Sequence, residues 1–182
     1  MKACALTDFG NMFGAVAFYM SMVKEGIRPI LGYEAFVAWG SRFEKGANVP
    51  AGEKPYYNLV LLAKNNEGFQ NLVYLASKAY TDGFHHKPRL DMELLAERSS
   101  GLICISGGRG SALRHYLRTN DNEKAESTMR TLQKVFGVER FYVEIQPHES
   151  EISDSLAALA RSQDVPLVAT NDAHYLANDD AK

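Results

Sequence analysis

The sequence predicts an α/β fold in which strands and helices alternate along a largely parallel sheet. Three observations carry this: short apolar runs recur between segments of helical periodicity, polar residues gather just after those runs, and capping residues or glycines mark the junctions.

Lys2 to Leu6 is a first short apolar run, closed by the polar turn Thr7-Asp-Phe-Gly-Asn11. From Met12 the apolar positions Met12, Val16, Tyr19, Met20 and Val23 fall at helical spacing, and Gly26 stops the helix. Pro29 to Val37 is the next strand, with Glu34 inside it. A carboxylate there either faces solvent from an alternating strand or is paired and ligating. Ala38 to Pro55 is a polar surface excursion, and Tyr57 to Ala63 is a third, buried strand. Asn66 opens a helix with Phe69, Leu72, Val73, Ala76 and Tyr80 on its apolar face. His85 and His86 follow. Neighbours in an extended chain point apart, so these two read as surface or partly packed histidines rather than a metal pair.

Leu102 to Ser106 is a fourth strand, ending in Gly107-Gly-Arg-Gly110. This turn lacks the lysine of a phosphate loop, although Arg109 could contact a phosphate. Asp121 caps a helix whose inner face is Ala125, Met129, Leu132 and Phe136. Phe141 to Ile145 is a fifth strand with Glu144 inside it and His148 just past its end, and Ser150 starts a helix with Ile152, Leu156, Leu159 and Ala160 facing in. The last strand, Leu167 to Ala169, ends in Asn171, Asp172, His174 and Tyr175. Asp172 and His174 are either half of a metal site or a helix cap with a packed histidine.

Composition narrows the function classes. A net charge of −2 provides no global basic field for sequence-independent DNA binding, and the 46% hydrophobic, 23% charged balance suits a single soluble domain. Cys4 and Cys104 lie in apolar runs without metal-ligand spacing, as reduced core thiols do. No stretch is long and apolar enough for a membrane span and no signal peptide is apparent, so the expected location is cytoplasmic.

The segments Leu6-Thr-Asp-Phe-Gly-Asn-Met-Phe-Gly14, Pro55-Tyr-Tyr-Asn-Leu-Val-Leu-Leu-Ala-Lys-Asn65, Lys87-Pro-Arg89 and Val168-Ala-Thr-Asn-Asp-Ala-His-Tyr175 carry a family resemblance. Together they resemble the polymerase and histidinol phosphatase (PHP) domain of bacterial DNA polymerase III alpha subunits, along the whole of residues 1–182. The resemblance implies a distorted (β/α)7-type barrel, incomplete at the N-terminus because the family's first strand, with its His-x-His pair, would precede Met1. It implies metal ligands at Glu34, His148, Asp172 and His174. It also implies losses: metal-binding members have histidine where this chain has Phe9 and Asn58, and cysteine where it has Gly107.

The expectation is therefore a PHP domain with an eroded metal site, holding no tightly bound cofactor and at most a weakly held divalent cation (Zn, Mn or Mg). The implied partners are the rest of the polymerase alpha subunit, the proofreading exonuclease subunit, and DNA through the parent polymerase. The alternative is a self-standing metal-dependent phosphoesterase or 3′–5′ exonuclease. With its first strand outside the chain, the domain is expected to fold poorly alone and to associate through an open edge.

Overall fold

The computed structural model describes residues 1–45, 49–147 and 150–175. The elements run β1 (Ala3–Leu6), α1 (Ala15–Lys24), β2 (Arg28–Ala38), β3 (Tyr56–Ala63), α2 (Asn66–Thr81), β4 (Arg89–Leu90), α3 (Met92–Glu97), β5 (Leu102–Ile105), α4 (Ala112–Arg118), α5 (Asn122–Phe136), β6 (Phe141–Ile145), α6 (Ser150–Ser162) and β7 (Leu167–Ala169). The strands form one curled sheet in the order β1-β2-β3-β5-β6-β7, with β4 also paired to β2. This is an incomplete, distorted barrel of the expected α/β kind.

Four of the strand pairs are parallel, but β3 runs antiparallel to both β2 and β5. The reversal follows from the connection. The stretch between β2 and β3 contains no helix, so it returns the chain alongside β2 rather than crossing over the sheet. On the other side of β2, β1 pairs with its first half and β4 with its last residues. Between them the turn after β1 is pinned to Glu34: Glu34 N donates to the Asp8 carbonyl at 2.9 Å and Gly10 N to the Glu34 carbonyl at 2.8 Å.

The core lies between the sheet and α2 to α6, and includes Leu61, Leu72, Leu75, Leu102, Phe136 and Phe141. Side chains of Asn65, Asp91, Ser111 and Asp121 accept backbone N–H groups at the starts of α2, α3, α4 and α5. The inner face predicted for α5 is fully buried at Ala125, Met129, Leu132 and Phe136.

Two predicted helix faces differ. In α2 the buried stripe is Gly68, Leu72, Leu75 and Ala79, while Val73 and Tyr80 are exposed. Gly68 sets that rotation, because a side chain there would overlap the Gly101 carbonyl before β5. In α1 the predicted stripe faces outward: Val16 is 75% and Met20 65% exposed, with Tyr19 and Val23 also exposed. No charged residue occurs between Asp8 and Lys24, so both faces of α1 are apolar and periodicity does not say which packs inward.

Candidate functional site

The strand ends place polar residues around one cavity of about 580 Å³ on the concave side of the sheet. Its apolar wall is Val60, Leu62 and Ile105, and its carboxylates are Asp8, Glu34, Glu144 and Asp172. The predicted residues Glu34, Asp172 and His174 all border it, and Arg109 borders it from an exposed position on the glycine-rich turn. His148 lies outside the described residues.

Of the retained family positions, Glu34, Asp172 and His174 each have a partner among the described residues. The Asn58 amide donates to Glu34 Oε1 at 2.5 Å. His174 Nε2 lies 3.0 Å from Asp172 Oδ1. The two meet although β7 has already ended, because Asp172 takes a left-handed backbone, φ 51°, and folds the chain back. Phe9, 48% exposed, stacks on His174 at 5.7 Å between ring centroids and on Phe36 at 6.3 Å. The chain's first strand end is thus fastened to its last.

Burial pushes the Glu34 carboxyl above the ordinary glutamate range. The Asn58 hydrogen bond opposes that rise, the carboxylates of Asp172 and Glu144 add to it, and His174 offsets it.

At the lost positions Phe9 and Gly107 carry no ligating side chain, and the Asn58 amide group is turned to Glu34. Gly107 has φ +81°, and a Cβ there would stand 2.5 Å from the Asn58 carbonyl oxygen, so this backbone excludes a cysteine at that position. A Cβ on Gly110 would meet the Asn58 side chain and one on Gly108 the Gln146 side chain, so each glycine makes room for a cavity residue. Among the described residues no three His, Cys, Asp or Glu side chains converge to hold a metal ion.

The cavity floor joins Glu144, seen in the sequence only as a carboxylate inside a strand, to Gln146 and Thr170, which no sequence signal marked. Thr170 Oγ1 donates to Glu144 Oε1 at 2.5 Å, and Gln146 Nε2 lies 3.4 Å from that same oxygen and from Thr170 Oγ1. Glu144 N donates to Ser106 Oγ at 3.0 Å, and Arg114, fully buried, donates to the Glu144 carbonyl at 3.3 Å. Glu144 and Gln146 are two apart on β6 and its continuation, a spacing that puts them on one side of the sheet. The register of β6 with β7 then brings Thr170 alongside.

The other predicted histidines lie elsewhere. The His85 and His86 rings sit 4.5 Å apart edge to face, brought together rather than splayed because His86 adopts φ 60°. Arg89, from the Lys-Pro-Arg segment, is buried and donates to the carbonyls of Gly83 and Glu44 at 3.1 and 2.8 Å. Beside it, Arg42 Nη1 pairs with Asp91 Oδ1 at 2.8 Å and Oδ2 at 2.9 Å. These residues strap the excursion after β2 onto the body.

Comparison with known proteins agrees with this architecture. The family described as PHP domain matches residues 1–148. The chain is 42% identical to the DNA polymerase III subunit alpha of Thermus aquaticus over 99% of its own length and 15% of that protein's. It is 41% identical to the same subunit of Treponema pallidum, over 99% of this chain and 16% of that protein. With the Aquifex aeolicus subunit it shares 37% identity over 98% of this chain and 16% of that protein. The chain spans about one-sixth of the length of these relatives.

Proposed function

The chain belongs to the PHP domain family, and from that premise we propose that it serves as the PHP domain of a bacterial replicative DNA polymerase catalytic subunit, in the cytoplasm. All of residues 1–182 form that one domain, and its contribution is a scaffold that binds the proofreading exonuclease subunit while the polymerase chemistry and DNA contacts belong to the parent subunit. The supporting relatives are DNA polymerase III alpha subunits that align along nearly this entire chain.

The observation that favours a scaffold over a phosphoesterase is the occupation of the family's ligand positions by protein-protein contacts. Phe9 stacks on His174 where a histidine would ligate, Asn58 donates to Glu34, and Gly107 excludes a thiol. Glu34, His148, Asp172 and His174 are then a remnant set, able at most to hold one divalent cation loosely, and Arg109 is a weak phosphate contact. Retention of Glu34, Asp172 and His174 around one cavity is what favours the rival reading, a metal-dependent phosphoesterase or 3′–5′ exonuclease.

Metal analysis after dialysis, together with an assay for phosphodiester hydrolysis in added manganese, separates the two. The scaffold reading expects well under about one equivalent of zinc, manganese or iron and no hydrolysis. A stoichiometric, chelator-resistant set of metals with hydrolysis abolished by Asp172→Asn would overturn it. Copurification of the exonuclease subunit with this chain tests the partner directly.

A further inference from the structure

A second cavity, of about 120 Å³, lies on the helix side of the sheet, between β2, β3 and the helices α3, α4 and α5. Both layers line it with apolar groups. Val37 is the register partner of Tyr57 across β2 and β3, and Leu59 stands two residues on, so these three share one side of the sheet. Leu113 and Tyr116 meet them from α4, and Thr128 and Leu132, one turn apart, from α5. Protein interiors keep few voids larger than a water molecule, and apolar cavities of about 150 Å³ are known to stay dry and take up benzene.

The polar groups of the wall are committed to other partners. The Tyr57 and Tyr116 hydroxyls donate to Glu53 Oε2 at 2.7 and 2.9 Å, and Lys124 Nζ lies 2.9 Å from the other oxygen of that carboxylate. The Asn58 amide turns to Glu34 on the concave side of the sheet, and Ser106 Oγ accepts from Glu144 N at 3.0 Å. Among the described residues no charged side chain lines the cavity. Leu59, Leu113 and Leu132 are buried, whereas Trp39 is 40% exposed and Met92, Ala112 and Thr128 are half-buried, so the way in lies beside these last four.

We propose that this cavity binds an uncharged, single-ring aromatic compound, packed on Leu59, Leu113, Leu132 and the Tyr57 ring with the Trp39 indole at its mouth. A charged ligand would lose its hydration there and find no counter-charge in the wall. The space admits one ring and not a nucleotide. The inference does not depend on the scaffold reading, since Glu34, Asp172 and His174 border the other cavity, on the concave side.

Trp39 is the only tryptophan in the sequence, so its fluorescence reports on this cavity. Titration of the chain with benzene, followed by Trp39 emission and by calorimetry, is expected to saturate at one site with a Kd of about 1 mM or tighter, within reach of a ligand this small. Sodium benzoate, similar in shape but charged, is expected not to bind. Ala112→Leu fills the space from α4 and should weaken benzene binding by about tenfold or more. If circular dichroism shows that this variant does not fold, Thr128→Leu fills the same space from α5 and carries the test. The proposal is overturned if benzene does not saturate below about 10 mM or if benzoate binds as well as benzene does. It is equally overturned if the folded filling variant binds benzene as the parent does, which would place the ligand elsewhere, as in the apolar groove between α1 and α2.

Discussion

Glu34 carries a pH signature of its environment. Its carboxyl titrates above the ordinary range because it is buried, with the Asn58 amide opposing that rise and neighbouring carboxylates adding to it. The folded protein therefore holds this proton more tightly than the unfolded chain. Glu34 is least unfavourable below the ordinary glutamate pKa of about 4.3, and its ionisation erodes stability as pH rises from there through the folded value. Glu34→Gln keeps an acceptor for Asn58 and removes the ionisation. We expect the variant to melt above the parent at about pH 8, with the two converging near pH 4; a variant that melts lower at both would show the charge to be favourable. How much of this was legible in the sequence differs by residue. Glu34 stands out as a carboxylate in an apolar strand, whereas Gln146 and Thr170 are ordinary polar residues after strands. They become one floor only through the pairing of β6 with β7.

At the scale of elements, the strap formed by Arg42, Arg89 and Asp91 fixes the excursion that follows β2. Asp91 accepts from Leu94 N at the start of α3, from Arg42 N at 2.9 Å and from the Arg42 guanidinium, with its side chain only 4% exposed. Asp91→Ala removes all three and leaves a largely buried guanidinium with only the exposed Glu93 carboxylate, 3.7 Å away. A destabilisation of about 3 to 5 kcal/mol is expected in urea unfolding, with faster hydrogen exchange at Arg42 N. A loss under about 1 kcal/mol would mean the excursion is held by Arg89 alone. The helices show why periodicity succeeds or fails. In α5, charged residues such as Glu123, Lys124 and Glu126 mark the outer face, so the inner one is readable. In α1 no such contrast exists, and in α2 the close approach of Gly68 to Gly101 turned the buried stripe away from Val73 and Tyr80.

For the whole molecule, the exposed face of α1 and the outer edge of β1, which has no strand partner among the described residues, lie at the same end of the sheet. An open edge beside an apolar helix face favours association, and a net charge of −2 opposes it little. Sedimentation of the chain alone is expected to show oligomers, and Val16→Glu with Met20→Lys should shift them toward monomer; a monodisperse parent would refute this. Strand and helix alternation announced the α/β class but not the reversed β3, because the polar stretch before it reads equally as a crossover or as a return. The Phe36, Phe9 and His174 stack has a consequence in time. Its outer rings belong to β2 and to the segment after β7, so it forms only once the intervening chain is in place. A contact of such sequence separation belongs to the late side of the folding barrier. Phe9→Ala should accelerate unfolding in stopped-flow measurements and leave the refolding rate nearly unchanged, so that the clasp governs how long the native state lasts rather than how quickly it is reached.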